Sequence, residues 1–180
     1  MEMMNIYIDR LVSAHKTLMR HFAQENTLQM VQVEIIQYLS LCNRYSDTAQ
    51  ALSEYLGQTK GSLSQSINHL EDVGLIKRIQ DKKDKRVYHI ELTSKGLQIS
   101  RKFQQKIEFQ GETKEQIQQL KNLLSHYQRL NQLKTFGICF TCKYNIAIDQ
   151  HKYKCGLTDE NLSSTDVNLI CREHSEQSIK

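Results

Sequence analysis

Apolar residues recur at helical spacing from the start of the chain: Met4, Ile8, Leu11, His15, Leu18 and Phe22 fall on one stripe. That period predicts an amphipathic first helix. Thr27 is placed as the N-cap of a second helix, "LQMVQVEIIQYLSLC", ending near Asn43. Asp47 or Thr48 stands before a third, "AQALSEYLG", which stops at Gly57. Thr59 precedes a fourth, "KGSLSQSINHLEDVG", whose buried line is Leu63, Ile67 and Leu70 and whose Gly74 suits a left-handed C-cap. Two short helices around a tight turn have the layout of a helix-turn-helix. The period then changes from helical to alternating. "LIKRIQ" and "RVYHIEL" read as two strands, joined by the polar turn "DKKDK". A hairpin directly after the second helix of a helix-turn-helix is a wing.

Helical spacing returns in "TSKGLQISRKFQQKIEFQ", with Thr93 or Ser94 at its start and Gly111 as its break. A further helix is expected from about Thr113 to Lys134. Its Ile117, Leu120, Leu124, Tyr127 and Leu130 make a long stripe that calls for a helical partner. Packing within the same subunit is one solution. A seam between two subunits is favoured, because the first helix carries a matching stripe and a winged domain is too small to cover both.

Composition narrows the class. The chain has 180 residues, 39% apolar, with no proline and a formal charge of +4. That core is thin for one subunit, and a two-fold dimer would add burial. The charge is too small to signal nucleic acid by itself, so local clustering must carry that argument. Glu2, Asp9 and Arg10 interrupt the N-terminal apolar positions, and no run reaches spanning length, which predicts a cytoplasmic protein with no membrane segment.

Clustering is present. With Leu63, Ile67 and Leu70 inward, Gly61, Ser62, Gln65, Asn68 and His69 share the opposite face of the fourth helix, with Ser64 beside them. Gln and Asn pair bidentately with adenine in a major groove, and Ser contacts bases or phosphates. Lys60 at the helix start suits a backbone phosphate. A solvated face is the plain alternative for the helix alone. The wing shifts the balance: Lys77, Arg78, Lys82, Lys83, Lys85 and Arg86 lie there against Asp81 and Asp84.

The residues "QVEIIQYL", "ALSEYLGQTKGSLSQSINHLEDVGLIKR" and "DKRVYHIELTSKG" together resemble the MarR family of bacterial winged-helix regulators. The last stretch is similar to the family's wing signature through Asp84, Arg86, Leu92, Thr93 and Gly96. The resemblance spans roughly residues 1–134. It implies a homodimer on a pseudopalindromic double-stranded DNA operator, and response to a small-molecule or redox effector. It also makes Arg86 the candidate for minor-groove insertion, with Asp84 bracing the wing.

The tail lies outside that resemblance. It holds four of the chain's five cysteines: Cys139, Cys142, Cys155 and Cys171, with His174 three residues beyond the last and Cys42 far upstream. Reduced cytoplasmic thiols at such spacing point to metal or redox chemistry. A Cys-x2-Cys pair on one turn plus a second pair closes a tetrahedron around zinc. Two ligand sets compete. One is Cys139, Cys142, Cys171 and His174; the favoured one replaces His174 with Cys155, where Gly156 permits a sharp turn. His174 is then free to hydrogen-bond a ligand sulfur. An iron–sulfur cluster or a thiol switch, hence a redox or metal sensor, is the alternative to structural zinc. No phosphate loop, nucleotide-binding glycine motif or Ser/His/Asp arrangement is present, so an enzyme is not expected; a small metalloenzyme built on the tail is the outside alternative. The expected fold is mainly α with a small β wing. A winged helix-turn-helix with flanking dimerisation helices occupies residues 1–134, its DNA-binding core about 27–93, and a small cysteine-rich metal-binding knuckle follows at 135–180.

Overall fold

A computed structural model describes residues 3–82 and 84–176. Helix α1 runs Met3–Glu25, α2 Met30–Leu41, α3 Ala49–Leu56 and α4 Lys60–Asp72. Strands β1 (Ile76–Gln80) and β2 (Tyr88–Leu92) follow, then α5 (Ser94–Ile107) and α6 (Lys114–Leu130). The described residues are therefore mainly helical with small antiparallel sheets, in a winged-helix arrangement.

Local chemistry explains most boundaries. The Thr48 hydroxyl accepts from Ala51 N, Thr59 from Ser62 N and Thr93 from Gly96 N, each at 3.2 Å. Each satisfies one of the N–H groups that a helix start leaves without a partner. Gly57 closes α3 at φ +64°, a conformation a Cβ would strain. The second helix begins later than expected. Thr27 sits at φ 56° in a left-handed turn, and Gln29 caps α2 instead, its N–H donating to Gln32 Oε1 at 2.8 Å. The last long helix also ends early, at Leu130, because Gln132 turns left-handed at φ 53°.

The core sits where α2, α3, α4 and the wing meet. Ile35, Ile36, Leu52, Leu63 and Leu70 are fully buried there. A second cluster joins α1 to α5 through Met19, Phe22, Ala23, Val33 and Phe103. Part of the expected α1 stripe is thereby covered within the chain. Only its C-terminal part packs inward, while Met4, Leu11 and Leu18 stay exposed. Helix α6 has no buried residue among those described, and Ile117, Leu120, Leu124, Tyr127 and Leu130 are each at least half exposed.

The tail forms a ribbon: β3 (Gly137–Ile138), a 3-10 turn at Cys139–Thr141, β4 (Asn145–Ala147), β5 (Lys152–Cys155), β6 (Asn161–Ser163), a second 3-10 turn at Asp166–Asn168, and β7 (Ile170–Cys171). β3 pairs with β7, and β4, β5 and β6 form a meander. The ribbon does not stand apart. Phe136 packs into the main core with its ring 6.3 Å from Tyr38 and 5.3 Å from Tyr55, and Ile170 lies against the same cluster.

Candidate nucleic-acid interface and cysteine centre

Helix α4 owes its orientation to Leu63, Ile67 and Leu70, which are at most 3% exposed. Burying that line turns Lys60, Gly61, Ser62, Ser64, Gln65, Asn68 and His69 to the surface, where all seven are exposed. Two of the hydroxyls are engaged with the helix itself: Ser62 Oγ donates to Thr59 O and Ser64 Oγ to Lys60 O, both at 2.8 Å. Ser62 Oγ also accepts from the Thr59 hydroxyl at 3.3 Å. Gln65 and His69 also line an open groove of about 650 Å³ that reaches Leu28 and Val31 near the start of α2.

The wing is braced against this helix. Arg78 forms an ion pair with Glu71, and its Nη2 donates to Asn68 Oδ1 at 2.6 Å. Asn68 is thereby held in place, a role its spacing alone did not reveal. Lys77 is tied to Glu91 at 2.9 Å, so part of the wing's positive charge is already neutralised. At the tip, Asp84 takes both Arg86 Nε and Nη2 at 3.0 Å, while the Arg86 side chain remains 90% exposed. The guanidinium beside it holds the Asp84 carboxyl below the usual carboxylate range. Lys82 and Lys85 are exposed on the same turn, and Lys83 lies outside the described residues.

The base of the wing carries a feature that spacing did not signal. His89 lies between two carboxylates, with Nδ1 2.5 Å from Asp47 Oδ1 and Nε2 3.1 Å from Asp81 Oδ2. The contact with Asp47 raises the imidazole pKa, and burial raises that of Asp47. Asp47 was a candidate cap for α3. Thr48 caps instead, and Asp47 joins the helix-turn-helix to the wing.

In the ribbon, the four tail thiols line one cavity of about 110 Å³, together with Tyr45 and Tyr144. Cys139 and Cys142 flank one turn, closed by Cys142 N donating to Cys139 O at 3.0 Å. Cys155 ends β5 opposite Asn145, and Cys171 ends β7 opposite Gly137. All four are unbridged, and burial pushes the Cys139 thiol up to about 12. Among the described residues, no three His, Cys, Asp or Glu side chains are drawn in to metal-ligand spacing. The donor chemistry nevertheless fits a soft, four-sulfur metal site, with three separate stretches of chain contributing to one pocket.

His174 is not on that cavity. Its Nδ1 meets Thr135 Oγ1 at 3.1 Å and its Nε2 meets Thr141 Oγ1 at 3.0 Å, and burial lowers its pKa. The ring occupies the space of a side chain at Gly137, where a Cβ would fall 2.6 Å from it. Nor does His174 bond a cysteine sulfur. That bond comes from the backbone N–H of Ser175, 3.5 Å from Cys142 Sγ. Gly156 does open the turn that follows β5, without a left-handed φ. A Cβ there would meet Ile146 Cδ1 at 3.2 Å, and its N–H donates to Tyr144 O at 2.7 Å. The left-handed residue of that loop is Asp159, at φ 62°.

Residues 30–87 match the family model of the MarR family. The match covers the helix-turn-helix and the first wing strand, and solved structures extend the likeness. A MarR-family transcriptional regulator from Listeria monocytogenes, complexed with a 26-mer DNA, is similar at 21% identity and TM-score 0.59 over 72% of this chain and 89% of that one. Wild-type MarR from E. coli in its apo form is similar at 17% identity and TM-score 0.54, over 71% of this chain and 98% of that one. CouR from Rhodococcus jostii RHA1, bound to p-coumaroyl-CoA, is similar at 13% identity and TM-score 0.57, over 70% of this chain and 92% of that one. No curated protein matches the sequence. The winged-helix fold is thus of the MarR type. Among the described residues, no helix is long and apolar enough to cross a membrane.

Proposed function

We propose that this chain is a sequence-specific, DNA-binding transcriptional regulator of the MarR type, a repressor that acts as a homodimer. The observation that carries the reading is the exposed polar face of α4 beside a wing whose Arg86 side chain is 90% exposed. A helix of that kind enters a major groove while the wing reaches the adjacent backbone or minor groove. The L. monocytogenes neighbour carries DNA on the same fold. The uncovered stripes of α1 and α6 support the dimer, since apolar rows of that length stay in water at a cost. The groove between α4 and the start of α2 would suit a small-molecule effector, and the R. jostii neighbour is itself ligand-bound.

The ribbon, in this reading, holds one zinc ion through Cys139, Cys142, Cys155 and Cys171. Zinc would supply a structural clip between three stretches of chain that share few apolar contacts. Metal analysis should find one zinc per chain and no visible absorption. Iron with a brown spectrum would replace zinc by an iron–sulfur cluster, and a metal-free protein with a reversible disulfide would leave a thiol switch.

Two variants test the DNA reading. Arg86→Ala should weaken binding of the operator while the protein stays folded and dimeric. Gln65→Ala should relax base preference by about 1–3 kcal/mol without an equal loss of non-specific affinity. Footprints and salt slopes that match the wild type in both would remove this surface as the reader. Leu124→Asp should dissociate the dimer, and sedimentation of the wild type as a monomer would refute the seam.

A further inference from the structure

The strand that carries Cys171 also holds the loop that starts the helix-turn-helix. Ile170 and Arg172, the residues on either side of Cys171, do so. Ile170 O accepts from Asn43 N at 2.9 Å. Arg172 N donates to Ser46 Oγ at 2.8 Å. Asn43 is 3% exposed, and its Oδ1 is taken by Tyr45 N at 3.1 Å and Ser46 Oγ at 2.8 Å, which fixes the turn of the loop. Ser46 is fully buried, and its carbonyl accepts the Tyr38 hydroxyl at 2.7 Å.

The loop continues without a break into the DNA-reading elements. Asp47 O accepts from Ile90 N of β2 at 2.7 Å, its carboxylate holds His89, and Thr48 caps α3. Further along, the Arg172 guanidinium grips both oxygens of Glu54 in α3 at 2.7 Å, and Lys134 joins the same carboxylate at 2.6 Å. The ribbon is weakly anchored on its own account. Its own core cluster has Cys139, Leu162 and Val167 as buried members, and β7 is two residues long. A strand so short and so thinly packed needs a covalent or metal clip to stay fixed.

We infer that the four-cysteine site regulates the DNA-reading head. When the thiols are clipped by metal, β7 holds Asn43–Asp47 in the shape that starts α3 and supports the wing. When the metal is removed, β7 loosens, the loop opens locally and DNA affinity falls. Asn43 and Ser46 are the positioning residues that link the two, through Ile170 O and Arg172 N. This inference rests on both the zinc reading of the ribbon and the DNA reading of α4.

The test uses the full-length, zinc-loaded protein and a duplex that it selects from random-sequence DNA. Hydrogen exchange and duplex affinity are measured before and after stripping with a zinc chelator, and again after zinc is restored. Stripping should speed exchange at residues 43–56 and 84–92 and weaken the duplex by about 5–150-fold, both reversed by zinc. Asn43→Ala and Arg172→Gln should keep one zinc per chain yet shrink that metal-dependent difference in both readouts. Arg172→Gln keeps the test open if the buried Asn43 variant misfolds. Exchange at 43–56 that ignores the metal, with affinity changed by less than about twofold, overturns the coupling and leaves the zinc and DNA readings intact. A protein that binds no zinc overturns the zinc reading, and one that selects no duplex overturns the DNA reading; either takes this inference with it.

Discussion

The winged helix and the ribbon solve the problem of holding a fold in different ways. In the winged helix, Ile35, Ile36, Leu52, Leu63 and Leu70 from three helices are all at 0% exposure, and burial of that kind contributes about 1.5–3 kcal/mol per side chain. In the ribbon, Leu162 and Val167 are the buried aliphatics, while Phe140 is 58%, Ile148 58% and Ile146 50% exposed. Its strands are two to four residues long. The first region can be held by apolar packing. The second has four thiols around one cavity where such packing would otherwise be. The interface between them is polar and charged as well as apolar: Arg172 on Glu54, Tyr45 on Glu160 at 2.6 Å, and Phe136 against Tyr38 and Tyr55.

The contrast is broken most severely at a cysteine. Cys155→Ser should release the metal, and a structural zinc is worth about 10–16 kcal/mol of apparent binding energy in small domains. Limited proteolysis should then cut within residues 137–171 while the α1–α5 fragment persists; an intact ribbon with full zinc in that variant would contradict the clip. Leu63→Ala comes next. It should cost about 2–5 kcal/mol of stability through a cavity in the main core, seen as a lower melting temperature, without changing zinc content. Leu162→Ala sharpens the comparison. It removes the same side chain from the ribbon, and in the zinc-loaded protein its effect on melting should be smaller than that of Leu63→Ala.

The smallest effect is a pH slope at the wing. His89 faces Asp47 and Asp81, and its folded pKa is raised above the ordinary 6.5, chiefly by the hydrogen bond to Asp47. Its stabilising contribution is therefore complete below about pH 6.5 and is lost as pH rises through the raised value. Burial also raises Asp47, so both groups bind more protons in the folded state, and both make stability decline as pH rises. His89→Asn should flatten the melting temperature between about pH 6 and pH 8, the range in which histidine changes charge. An unchanged slope would show that other groups set it.

Much of the winged helix was legible from local chemistry. Thr59, Leu63, Ile67, Leu70 and Gly74 define α4 by cap, period and stop, each acting within a few residues of itself. The strand pairing Ile76↔Leu92 through Gln80↔Tyr88 follows from alternation across a short polar turn. Thr27 misled because a threonine before an apolar run resembles a cap whether or not the chain turns there. The outcome depended on its φ of 56° and on the competing Gln29–Gln32 exchange. The α1 stripe shows a related limit: periodicity marks an apolar face but not what covers it.

What the sequence determined by itself is whatever acts over one turn of helix or one hairpin: the caps, the helix-turn-helix order, the wing and its exposed basic tip, and the gathering of cysteines after residue 134. What the tertiary structure decided is which distant groups meet. It put Cys155 rather than His174 on the cavity with the other thiols. It seated His174 over Gly137, moved Asp47 from a helix cap to His89, and joined Ile170 to Asn43. Those meetings depend on how the wing packs on the α2–α3 loop and on how the ribbon folds on itself and against that loop. No spacing along the chain encodes that packing, because the groups involved are separated by 42 residues for Asp47–His89 and by far more for Ile170–Asn43.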